Sequence, residues 1–244
     1  MVINALLYSG IAGVATLAGI SLVRWKQDLA VKYSHYVNSF AAGALLTIGL
    51  AHLIPESVEL TSNALLVVLA SFIGFYLLES ALVFHSGSAI HFAERCERDS
   101  HSKGPVIFTG LFLHSLLDGF IIAVGFEVSL ELGLFAAIGV IIHELPEGIT
   151  SFILIMRTMA RKKALLLSVA VALATPLGAG IVIGLLGNVS ESQLGIMMAI
   201  AGGSFLYIAA SDLVPETHEG SVFKNVGFLL AGVGMMYLIT VLFE

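Results

Sequence analysis

Residues 131–156 read ELGLFAAIGVIIHELPEGITSFILIM, an apolar run broken at its middle by His143-Glu144-Leu145-Pro146-Glu147-Gly148. A helix needs roughly 20 apolar residues to cross a hydrocarbon core, and this run is long enough. It is too long and too continuous for a strand, and the alternating segments of a membrane barrel are not visible. Its ionisable groups therefore sit at the depth where charge is most costly. The sequence on either side decides whether this is one membrane helix among several.

The same pattern recurs in both directions. Apolar stretches lie at 2–23, 36–55, 63–84, 105–126, 164–187, 194–214 and 223–243, which with 131–156 makes eight expected spans. Of the 244 residues 58% are hydrophobic and 11% charged, whereas a soluble domain carries about 25% charged residues. That excludes an ordinary soluble enzyme and a disordered chain. A net charge of -6 leaves no basic face for nucleic acid. One cysteine, Cys96, excludes a disulfide framework and a thiolate metal cluster. The first stretch lacks a positively charged leader, so a cleaved signal peptide is not expected. Connections are short, and the longest is loop 85–104. The chain reads as one transmembrane domain, 1–244, embedded in a lipid bilayer as a multi-pass protein of the plasma or inner membrane.

All 11 basic residues fall on one side of this scheme. Arg24, Lys26 and Lys32 lie between spans one and two, and Arg95, Arg98 and Lys103 between three and four. Arg157, Arg161, Lys162 and Lys163 lie between five and six, and Lys224 opens span eight. The positive-inside rule places these loops in the cytoplasm and both termini outside.

Span four carries His114-Ser115-Leu116-Leu117-Asp118-Gly119 near its middle. Residues i and i+4 share a helix face, so His114 points with Asp118, and His143 with Glu147. Glu144 borders the second pair. Each intramembrane carboxylate costs about 3 kcal/mol, and the three together on the order of 9 kcal/mol if unpaired. Apart from Lys224 at the very start of span eight, no Lys or Arg lies within the spans to neutralise them. A lone intramembrane His usually hydrogen-bonds a neighbouring helix, but five such groups at one depth point to a bound cation. Neutral imidazole with carboxylate suits a borderline divalent ion such as Zn, Fe or Mn. Pro146 should kink span five beside these groups, because its ring crowds the Ile142 carbonyl. Gly119 and Gly148 allow neighbouring helices to approach.

The chain also resembles itself. Residues 42–56, AGALLTIGLAHLIPE, and 202–216, GGSFLYIAASDLVPE, share six identities in fifteen, ending in Pro55-Glu56 and Pro215-Glu216. The first runs outward and the second inward. Spans four and five match at His114/His143, Asp118/Glu147 and Gly119/Gly148, also in opposite senses. The expected architecture is all-α, three spans, a central pair and three more, with an inverted repeat. Such repeats around a mid-membrane site mark secondary transporters. His52 and Glu56 at the outer end of span two, and Asp212, Glu216, His218 and Glu219 at the inner end of span seven, are candidate pathway groups. Glu79, toward the inner end of span three, is another. His85, His91, Cys96 and His101 could hold metal loosely in loop 85–104.

These motifs resemble the ZIP (Zrt/Irt-like) family of divalent-metal transporters over nearly the whole chain. The HELPEG run at 143–148 is the most specific element, and HSLLDG at 114–119 looks like the family's H-N-x-x-[DE]-G. The resemblance implies metal uptake into the cytoplasm by alternating access, and often a homodimer. It also implies a binuclear centre, one site on His114, Asp118, His143 and Glu147. The adjoining site would use Ser115, Asp118, Glu144 and Glu147. Ser115 departs from the common Asn and is a shorter, weaker ligand. Thr175 stands where some members have a Glu. The transported ion would be Zn2+, with Fe2+, Mn2+ or Cd2+ as alternatives. Two other readings compete. HELPE is superficially similar to the H-E-x-x-H of an intramembrane metallohydrolase, but Glu147 replaces the second His. A metal-gated receptor or channel would pass current rather than saturate at low metal.

Overall fold

The structure, a computed structural model, describes residues 1–86, 104–185, 190–218 and 221–243, and it is helical throughout them. Helix α1 covers Val2–Ile48, followed by a π turn Gly49–Leu53 and α2, Ile54–Leu60. Then come α3 Ala64–Ser86, α4 Gly104–Val128, α5 Leu130–Thr158 and α6 Arg161–Leu185. Helix α7, Glu191–Tyr207, leads through a second π turn, Ile208–Leu213, into α8, Val214–Glu216, and α9 is Val222–Phe243. Loop 85–104, with His91, Cys96 and His101, lies almost wholly outside the described residues, as does Glu219. The side chains of Glu79, His85 and Glu216 lie outside them as well.

Among the described residues, six helical elements are long and apolar enough to cross a membrane, so the chain is a multi-pass integral membrane protein. The count differs from eight expected stretches for a local reason. Val2–Leu60 is one element of 59 residues. At 1.5 Å per residue, even α1 would be about 70 Å long if straight, more than twice a bilayer core. It is not straight, because Lys26 leaves the helical region with φ -145 and ψ 64. Before that break, Thr16 meets Glu144, and Gly19 packs on Leu145 and Ile149, so residue numbers rise with those of α5. After it, Ile48 lies at Gly139, and the His52 ring is 4.1 Å from that of Phe135, so numbers fall. The two arms of α1 run in opposite directions. The third stretch forms α3, a single helix of 23 residues.

The paired segments of the repeat share an unusual backbone. Ile54 N–H bonds the Gly49 carbonyl, and Val214 N–H bonds the Ala209 carbonyl, each five residues back. Pro55 and Pro215 follow at once. A proline lacks the N–H and crowds the carbonyl four residues earlier, here Ala51 and Ser211. A wider turn relieves that crowding. The likeness between 42–56 and 202–216 therefore extends from residue identity to hydrogen-bond register. Pro146, by contrast, sits inside a continuous α5 and is buried, where irregular backbone is tolerated in a membrane.

Close helix contacts sort the elements into two groups. A methyl added to Gly119 would overlap the Thr175 carbonyl, and one on Gly178 the Leu116 carbonyl, so α4 and α6 touch backbone to backbone. The first arm of α1 meets α5 in the same way at Gly19 and Gly148, and α6 at Gly13. A second group forms where Gly43 and Gly232 join the second arm of α1 to α9, and Gly203 joins α7 to α3. Between the groups, Gly139 faces side-chain tips instead, those of Ile48, Leu45 and Phe205.

Candidate metal centre

Helices α4 and α5 are separated by Ser129 alone, whose hydroxyl caps α5 by accepting from Leu132 N–H at 3.1 Å. The hairpin is antiparallel, so it sets Asp118 level with His143 and His114 level with Glu147. Their ligand atoms all lie within 4.8 Å of one another. His114 Nε2 is 3.4 Å from Glu147 Oε2 and 3.5 Å from Asp118 Oδ2. His143 Nε2 is 3.5 Å from Asp118 Oδ2 and 4.0 Å from Glu147 Oε2. Around a tetrahedral zinc with bonds of about 2.0–2.1 Å, ligand atoms stand about 3.3 Å apart. The cluster is within a small contraction of that shape.

The polar atoms here lack other partners. Both Asp118 carboxylate oxygens, His143 Nε2 and Glu147 Oε2 are buried without a hydrogen bond. Unpaired buried polar groups are costly, and a native fold retains them only for a reason. His143 Nδ1 lies 3.0 Å from the Gly139 carbonyl, which can only accept. In the neutral ring the proton therefore sits on Nδ1, and Nε2 turns its lone pair to the cluster. Fixing a ligand imidazole by its far nitrogen is the usual support for a metal-binding His. Two imidazoles and two carboxylates so placed could hold a divalent cation.

The other expected residues are placed as follows. Ser115 is buried beside the cluster and donates to Glu147 Oε1 at 2.9 Å. Glu144 is buried but faces away. Its Oε2 accepts from Thr16, and its Oε1 accepts from Thr175 at 2.5 Å. Thr16 was invisible to sequence spacing, being 128 positions from Glu144. His52 is not among the four. It hydrogen-bonds Thr240 Oγ1 at 2.8 Å and packs on Phe135, two helical turns from His143. Glu56 lies in α2 and Asp212 in the second π turn, both partly exposed and neither in the cluster.

The chain is similar in sequence to known metal transporters. The family model described as ZIP Zinc transporter matches residues 100–240. Zinc transporter zipt-7.2 of Caenorhabditis elegans is 33% identical over 142 residues, covering 53% of this chain and 30% of that protein. Metal cation symporter ZIP14 of Bos taurus is 30% identical over 142 residues, 52% of this chain and 28% of the relative. Zinc transporter ZIP4 of Homo sapiens is 33% identical over 111 residues, 45% and 17% respectively. The chain thus spans less than a third of the length of these relatives.

Proposed function

The chain belongs to the ZIP zinc transporter family, whose model covers more than half of it, and from that premise we propose that it carries Zn2+ into the cytoplasm through His114, Asp118, His143 and Glu147. The observation that carries this reading is the set of four converging ligand atoms with no basic residue anywhere in 104–156. Fe2+, Mn2+ and Cd2+ fit the same donors. The topology proposed with it has eight spans in a 3+2+3 order, both termini extracytoplasmic, with the two arms of α1 as spans one and two. Their opposite directions support it, and so do the matched π turns. Association as a homodimer rests on family resemblance. The metallohydrolase reading is not favoured, since the matching family is one of transporters.

Alternating access is supported by two features. In the proposed orientation, Asp118 and His143 form the outer pair and His114 and Glu147 the inner pair. The outer side chains are 1% and 3% exposed, the inner ones 22% and 8%. That gradient corresponds to an inward-facing state. The division by backbone seams supplies the moving parts. The first arm of α1 with α4, α5 and α6 forms the bundle that holds the ion. The second arm with α3, α7 and α9 forms its support. The boundary between them, at Leu45, Ile48 and Phe205, is made of side-chain tips that can slide. Outward opening would part His143 from Phe205, whose ring centroids are 6.2 Å apart.

Proteoliposomes containing the purified chain provide the test. Zn2+ should enter with saturable kinetics, and Fe2+, Mn2+ and Cd2+ added in turn should compete with it. Flux that grows linearly with metal, or no flux under any gradient, would overturn the proposal. Binding needs neutral imidazole and ionised carboxylates, so protons compete with the ion. Uptake should therefore fall as external pH drops from about 7 to about 5. Unchanged affinity across that interval would argue against this ligand set.

A further inference from the structure

Glu144 immediately follows a ligand and is fully buried, yet its carboxylate is held elsewhere. Thr16 reaches it from the first arm of α1, and Thr175 reaches it from α6 at 2.5 Å. Each oxygen has one hydroxyl. Ser115, the weak partner of the adjoining site, is likewise committed to Glu147 Oε1 at 2.9 Å. A second ion on Glu144 would have to displace two buried hydroxyls; Thr16 keeps the Ala12 carbonyl at 3.2 Å as an acceptor, but Thr175 would lose its carboxylate partner at the cost of desolvation. It would also have to turn the carboxylate back toward α4, away from the helices it joins.

We propose that Glu144 is a positioning residue and that the chain holds one ion per copy, on His114, Asp118, His143 and Glu147. The Thr16–Glu144–Thr175 bridge ties three helices together at the level of the metal. It fixes the rotation of α5 about its axis, and that rotation sets whether His143 and Glu147 face α4. The backbone seams act at the same level, since Gly148 lies against Thr16 and Gly119 against Thr175. The bridge also removes the two oxygens that a neighbouring ion would need. In this chain Thr175, a neutral hydroxyl, settles the number of ions. This inference rests on the metal-site reading above.

The test is a metal titration of the full chain in nanodiscs, with bound Zn2+ counted by elemental analysis and Co2+ read by its visible spectrum. The wild type should bind one Zn2+ and give the intense Co2+ bands of a tetrahedral site. Glu144→Gln should keep both, because the amide oxygen accepts from one threonine and its N–H donates to the other. Thr16→Val with Thr175→Val keeps the side-chain volumes but removes both donors. It should weaken Zn2+ binding by about tenfold or more and lower the Co2+ intensity, as loss of groups behind metal ligands does. Glu144→Ala should do the same. Two ions in the wild type, one of them lost in Glu144→Gln, would overturn the proposal. So would an unchanged Co2+ spectrum and affinity in the double-valine variant. A wild type that binds no ion would instead remove the metal-site reading itself, and this inference with it.

Discussion

Vesicles carrying His143→Ala with Glu147→Ala should show no metal flux above empty vesicles. The change removes one ligand from the outer pair and one from the inner pair, so neither remaining pair is complete. Loss of a group merely behind a ligand costs about 10–100-fold in affinity, and loss of two ligands should exceed that. The variant should still insert and fold. An intramembrane carboxylate costs about 3 kcal/mol to place, and removing it relieves that cost. Thermal unfolding with and without Zn2+ separates the two effects. At an ion concentration of about 100 times Kd the wild type gains about 2.7 kcal/mol from the ion, and the variant should gain nothing. Full flux in this variant would mean that the ion crosses elsewhere.

Gly119→Ala should destabilise the protein sharply, while Gly180→Ala should not. Both glycines are helical, so propensity alone favours alanine in each by about 0.5–1 kcal/mol. Their surroundings differ. A methyl at Gly119 runs into the Thr175 carbonyl, and backbone cannot swing aside as a side chain can. A methyl at Gly180 meets nothing within 4 Å. Overpacking in a well-packed interior costs about 1–3 kcal/mol, occasionally more. Gly119 also adjoins the ligand Asp118, so metal affinity should fall along with the melting temperature. Equal melting temperatures for the two variants would show that α4 and α6 are not in backbone contact.

Much of the centre could be read from spacing alone. His114 with Asp118, and His143 with Glu147, are local relationships, set by helix periodicity and by the short turn that makes α4 and α5 antiparallel. Glu144 was not readable in that way. At i+1 from His143, its direction depends on what lies beside α5, and its partner Thr16 belongs to a helix whose position no local rule supplies. The first two apolar stretches were recognisable, but the polar residues between them suggested a loop. Residues such as Arg24, Gln27 and Lys32 are good helix formers, and the chain stays helical there except at Lys26. The π turns were similarly hidden. The prolines that cause them were visible, but a proline can kink a helix, end it or widen it, and neighbouring packing selects among these.

The two kinds of helix contact have different consequences for how such a protein can change. A seam made of glycine against carbonyl has no smaller substitute and tolerates no larger one, so it cannot be adjusted by degrees. The boundary at Leu45, Ile48 and Phe205 can be. On the proposed mechanism, each methylene added or removed at Leu45 or Ile48 would shift the balance between the two bundle positions by about 1 kcal/mol, several-fold in population, without touching a ligand, whereas Phe205 also packs against His143. If the chain works as proposed, the rate of its cycle and its choice of ion would reside largely on separate residues. A lineage could alter the pace of uptake while keeping its ion, or alter its ion while keeping its pace.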